Sequence, residues 1–206
     1  MTDAAAKFID AVEEGRIDDV TFYLQNGVNV NTCKPETQDS VLMIACERGH
    51  MDIVRLLLKT QNADMTSRNV TGACALHSAV SGDHIEVLET LIAHGNNDTG
   101  NGSCLDLDAT DMNGNTALHL AVNKGFIRST KMLLRNGANA NVQERGFRRA
   151  PLHDAVRRGD FRTAQMLLEH DANPDAQVGG ICYLLNMWIY CNGYMLLSKR
   201  KTRVAK

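Results

Sequence analysis

The apolar positions of this chain recur at a long, fixed period. Ser40-Val-Leu-Met-Ile-Ala45, Cys74-Ala-Leu-His-Ser-Ala79, Thr116-Ala-Leu-His-Leu-Ala121 and Ala150-Pro-Leu-His-Asp-Ala155 align without gaps. Their shared Leu falls at positions 42, 76, 118 and 152, with separations of 34, 42 and 34 residues. A further step of 34 back from Leu42 reaches Phe8, and Ala11 takes the place of Ala45, so a worn copy opens the chain.

Each copy continues in the same way. The aligned Ala is followed three or four residues later by Gly15, Gly49, Gly82, Gly125 or Gly159. An apolar run at helical spacing comes next, as in Ile53, Leu56 and Leu57. It closes at Gly27, Asn62, Gly95, Gly137 or Asp171, where a left-handed turn is expected. The pattern predicts two short helices per unit. Ser40 and Thr116 stand where N-caps belong, and Pro151 at a first helical position. Two-turn helices are unstable alone, so stacked neighbours must share one core, and the expected fold is an all-α solenoid.

These residues carry a family resemblance. Thr116–Ala121 and Ala150–Ala155 nearly complete the T-P-L-H-x-A signature of ankyrin repeats, and Gly137-Ala-Asn-Ala-Asn141 resembles that family's G-A-D-V-N. The resemblance spans about residues 4–177 and divides a domain 1–177 into repeats 4–35, 36–69, 70–111, 112–145 and 146–177. It implies β-hairpin fingers between units, a concave face of fingers and first helices, and a non-catalytic module for a protein partner. It also implies that His77, His119 and His153, which share one slot, bond backbone and hold finger to helix. Successive slots lie about 10 Å apart, too far to share one zinc ion. No phosphate-binding glycine loop or nucleophile elbow is present, and the acids of Asp106–Asn113 fail the calcium-loop template. No metal, cofactor, small-molecule substrate or catalysis is expected.

Composition adds a polarity. Apolar residues make up 44% of the 206 and charged ones 22%, ordinary for a globular domain, while 5% aromatic content argues against a sandwich with large core rings. The formal charge of −2 argues against a nucleic-acid binder held by bulk charge. Residues 1–100 nevertheless hold 15 acidic and 7 basic side chains, and residues 101–206 hold 9 and 15. The opening MTDAAAKFID lacks a secretory pattern and no Cys falls in a C-x-x-C pair, so free thiols in the cytoplasm or nucleus are expected.

Finger tips fall near Ser67–Thr71, Asp111–Asn113 and Glu144–Arg149. In the last, Arg145, Phe147, Arg148 and Arg149 join Arg157 and Arg158 of the next helix in a basic, aromatic patch suited to an acidic peptide or domain. Arg68, Asn69, Met112 and Asn113 complete the candidate partner-binding row. Asp154 is spaced to pair with Arg158. The tail 178–206 matches no repeat. Its apolar stretch Ile181–Leu197 and basic end Lys199–Lys206 leave three readings open: a cap on the last repeat, a membrane anchor that would make the chain a tethered scaffold, or a partner-binding or disordered segment. Lys199–Arg203 also resembles a nuclear-import run, on which rests an alternative role as a nuclear regulator of a transcription factor.

Overall fold

The computed structural model describes residues 3–60, 62–97, 105–174 and 176. The three readings of the tail and most of the long junction Gly95–Leu105 lie outside them. Ten helices follow one another among the described residues, two per repeat. The first helices are α1 (Asp3–Glu13), α3 (Val41–Arg48), α5 (Ala75–Ser81), α7 (Ala117–Lys124) and α9 (Pro151–Arg157). The second helices are α2 (Ile17–Gln25), α4 (Met51–Lys59), α6 (Ile85–Asn97), α8 (Ile127–Arg135) and α10 (Phe161–Glu169).

The repeat register becomes the core. Phe8, Leu42, Leu76, Leu118 and Leu152 are all buried, as are Ala11, Ala45, Ala79, Ala121 and Ala155 beside them. The small Ala lets each first helix approach the next closely, and Leu fills the space between. First helices pack on one another more extensively than second helices do. The stack therefore opens on the side of the second helices and curves toward the first helices and the fingers. Ser40 caps α3 by accepting from the Met43 N–H at 3.3 Å, and Pro151 occupies the first turn of α9.

Polar links cross every junction from α1 to α9. The carbonyl of Glu13 accepts from His50 Nε2 at 3.1 Å, and that of Glu47 from His84 Nε2 at 3.0 Å. The equivalent carbonyl of Ser81 accepts from Lys124 Nζ at 2.9 Å, and that of Asn123 from Arg158 Nη1 at 2.7 Å. These carbonyls belong to the last turn of a short helix, where no partner exists within the helix itself. The recurrent His works in the opposite direction. Nδ1 of His77, His119 and His153 accepts from the N–H at the start of its own helix. Nε2 then donates to the carbonyls of Asn115, Arg149 and Ala176 at 3.0, 3.2 and 3.0 Å.

Two expected closing positions differ from the structure: α4 ends at Lys59 on an extended Thr60, short of Asn62, and Gly95 lies within α6. Between α5 and α6 the left-handed residue is Asp83 (φ 56°). Gly82 is required for space: a Cβ there would lie 2.3 Å from the Glu47 carbonyl oxygen and 2.4 Å from the His84 ring. Gly95 does not end its helix, because α6 continues to Asn97. A Cβ at Gly95 would meet the Leu105 Cβ at 2.4 Å, so glycine admits the returning chain there. The fingers are also narrower than β-hairpins. Among the described residues the only ladder contact is an isolated antiparallel bridge between Cys33 and Ser40, since few residues separate each tip from the next N-cap.

Leu118→Ala, at the centre of the stack, is expected to cost about 2–5 kcal/mol in urea unfolding; a loss below about 1 kcal/mol would contradict its place in the core. The histidines should titrate apart. Burial holds His119 below the ordinary imidazole range, more than its bond to the Arg149 carbonyl and the nearby acids restore. Burial also acts against His77, but the bond to the Cys74 thiol at 3.1 Å overcomes it and raises that ring. His119 thus lends stability that is lost as pH falls below the unfolded value of about 6.5. His77 lends stability present below that value and lost as pH rises through its own raised one. Nitrogen-detected NMR titration should resolve the two in that order, and Cys74→Ser should bring the His77 midpoint down.

Candidate functional site

The fingers after α4, α6 and α8 are turns, each closed by one side chain. Asn69 Oδ1 accepts from the N–H groups of Thr71 and Ala73 at 3.0 and 2.9 Å. Asp111 Oδ1 does the same for Asn113 and Asn115 at 2.9 and 2.8 Å. Short carboxylates and amides favour this local geometry. The last finger is one residue longer than these two, as is the first, which Lys34 N–H closes on the Asp39 carbonyl at 2.9 Å; its own closing bond runs from the Glu144 N–H to the Arg149 carbonyl at 3.0 Å. There the longer Glu144 side chain reaches the N–H groups of Gly146, Phe147 and Arg149 at 2.6, 2.7 and 3.3 Å. Burial pushes the Glu144 carboxyl up, but those N–H groups and the Arg149 guanidinium outweigh it and hold the group below the usual carboxylate range.

The fingers are joined side by side. Val70 N–H donates to the Thr37 carbonyl at 2.9 Å, Met112 N–H to Thr71 at 2.8 Å, and Arg145 N–H to Asn113 at 2.7 Å. The tips therefore form one row, and exposed apolar side chains stand along it. Val70 is 48% exposed, Met112 62% and Phe147 70%. Val70 had no signal of its own in the sequence; only its register with Met112, one unit away, could have found it.

The row sorts the sequence-predicted residues into two groups. Some are already engaged within the chain. Arg68 Nη1 bonds the carbonyls of Gly72 and Thr110 at 2.9 and 2.8 Å, pinning one finger to the next. Asn69, besides closing its own turn, donates from Nδ2 to Asp39 Oδ1 at 2.7 Å. Arg149 Nε lies 3.5 Å from Glu144 Oε1, and its guanidinium is 5.1 Å from the Phe147 ring centroid. Arg157 Nη2 bonds Asp154 Oδ1 at 3.2 Å and Asn123 Oδ1 at 3.0 Å. Asp154 is thus paired with Arg157, three residues on, and not with Arg158. Because α9 ends at Arg157, the Arg158 side chain turns back to the Asn123 carbonyl instead.

The second group faces outward. Met112, Asn113, Arg145, Phe147 and Arg148 are exposed. Arg148 donates from Nε to Gln143 Oε1 at 3.2 Å. Its backbone takes the left-handed conformation (φ 57°) that Gly72 and Gly114 supply in the two preceding fingers and Gln38 (φ 60°) in the first. A non-glycine residue in that conformation costs about 1–2 kcal/mol. Arg145 packs its stem over Gly114, where a Cβ would come within 2.9 Å of it, and its guanidinium has no partner among the described residues.

Nothing in this row is arranged for bond-making chemistry. Among the described residues no three His, Cys, Asp or Glu side chains converge as a metal site, and no helix is long and apolar enough to cross a membrane. Cys33, Cys46 and Cys74 are free thiols.

Comparison with known proteins agrees with this architecture. The family model described as ankyrin repeats (three copies) matches twice, at residues 8–101 and 96–178. Over 96 residues, 47% of the chain, it is 38% identical to a probable E3 ubiquitin-protein ligase, XBOS33, of Oryza sativa subsp. japonica. It is 33% identical over 148 residues, 58% of the chain, to the nuclear factor NF-kappa-B p105 subunit of Gallus gallus. It is 27% identical over 157 residues, 64% of the chain, to the human neurogenic locus notch homolog protein 2. The aligned parts cover 17%, 15% and 6% of those proteins. The repeats they share are protein–protein interaction modules, generally without catalytic activity of their own. With its repeat register, its capped fingers and a family match across most of its length, the chain belongs to the ankyrin-repeat family.

Proposed function

We propose that this chain is a non-catalytic adaptor or regulator that grips an acidic segment of a partner protein along its finger row. The observation that carries this is the last finger. Its exposed Phe147 stands between Arg145 and Arg148 in the loop, and Arg145 continues the register of Val70 and Met112. An aromatic anchor with arginines around it supplies the side chains in which binding energy concentrates. The apolar row would seat alternate side chains of an extended or irregular segment, and the arginines would draw its carboxylates.

The test separates folding from recognition. Arg145→Glu/Phe147→Ala/Arg148→Glu should leave the melting temperature near that of the parent, since these side chains are exposed, and should abolish capture of the partner in pull-down. Arg149 is left in place because it braces Glu144. Arg148→Gly should raise stability by up to about 1 kcal/mol while weakening binding. Undiminished binding by both variants would remove the finger row as the recognition surface.

A further inference from the structure

The side of the stack away from the fingers carries a second surface. Where second helices run side by side they leave shallow grooves. The groove between α8 and α10 has a volume of about 430 Å³. Lys131 and Arg135 of α8 form one wall, and Arg162, Met166 and Glu169 of α10 the other. Arg128 continues the α8 row one turn earlier, and that helix has no acidic residue. Positions 128, 131 and 135 fall on one helical face and extend over about 10 Å of its axis. These three cations and Arg162 have no hydrogen-bond or ion-pair partner among the described residues. Stacking alone does not produce this charge. The corresponding groove between α4 and α6 sets Arg55 against Glu86 and Glu89.

We propose that the α8–α10 groove seats an acidic amphipathic helix from a second protein, independently of whatever the finger row binds. Two parallel helices with a cleft between them offer ridges for a third helix. The cation row has the spacing at which such a helix presents Glu or Asp at i, i+3 and i+7. Half-buried Met166 gives the cleft an apolar, adaptable floor. The chain's own residues 178–206 hold no acid, so the tail has the wrong sign for the site. A phosphate-rich ligand fits less well. The start of α10 is already closed by Asp160, which accepts from the Thr163 N–H at 3.0 Å and hydroxyl at 2.7 Å. Glu169, bonded to Gln165 at 3.0 Å, stands on the wall as a like charge. A protein helix can leave that position uncharged; a polyanion cannot.

Fluorescence anisotropy on the full chain tests this. The probe is a labelled alanine-rich helix of about 20 residues, long enough to stay helical, with Glu in the i, i+3, i+7 row. Its Gln counterpart and phosphatidylserine vesicles serve as the comparison arms. The Glu helix should bind more tightly than the Gln helix and weaken as salt is raised. Lys131→Glu/Arg135→Glu/Arg162→Glu should loosen it by about tenfold or more. The milder Arg135→Gln/Arg162→Gln should give a smaller loss in the same direction, and serves if the charge reversal unfolds the chain. The finger variant Arg145→Glu/Phe147→Ala/Arg148→Glu should bind the probe as the parent does. Parental affinity in both groove variants, equal binding of the Gln helix, or vesicle binding that displaces the Glu helix would overturn the proposal. Loss of the probe only in the finger variant would also overturn it, while leaving the finger row standing as a recognition surface.

Discussion

A helix of seven to nine residues leaves about half of its backbone groups without a partner inside itself, and that deficit governs this molecule. Apolar burial can hold such helices together only if their ends are satisfied at the same time. The stack meets both demands with the neighbouring repeat. Leu and Ala interlock between first helices, and the same neighbour supplies donors to the carbonyls left open at the end of each. His50, His84, Lys124 and Arg158 are unlike side chains arriving at equivalent carbonyls. What recurs is the acceptor, because the backbone fixes it; the donor is free to vary as long as it reaches.

The fingers depend on this arrangement. A turn closed by its own Asn, Asp or Glu and bonded to the next finger has little freedom left, so its side chains are displayed at fixed intervals. The last finger is closed by the longer Glu144 side chain, and it also presents the exposed Phe147 and its arginines. Rigidity and display are thus produced by the same few bonds. On the opposite side the second helices take no part in that network, and the charge polarity of the sequence emerges there as a basic groove at one end of the stack.

Much of the fold was legible in the sequence because a repeated register reports its core several times over. The Leu and Ala positions, the caps at Ser40 and Thr116, Pro151 and the backbone role of the recurrent His needed only the period and local chemistry. What escaped depended on how neighbours meet. Gly82 and Gly95 look like turn residues, yet each is small because another segment passes close by. Arg158 looks like a helical partner for Asp154, yet it lies at the helix end and turns to the preceding repeat. Spacing also could not separate Arg68, Asn69, Arg149 and Arg157, which the chain uses internally, from Arg145 and Arg148, which face outward. Lys131, Arg135 and Arg162 meet across a groove that exists only once two repeats are stacked.

The irregular 42-residue spacing has a practical meaning in this light. Part of the excess lengthens α6 to thirteen residues where the other second helices have nine, and the bond between Met112 and Thr71 that aligns the flanking fingers is intact. Insertions at such a position lengthen the polypeptide without shifting the display row, whereas one added residue within a finger already changes which side chain must close it. A fluorescent reporter or a foreign epitope would accordingly be grafted at that junction, where the scaffold has absorbed additional chain and kept its spacing.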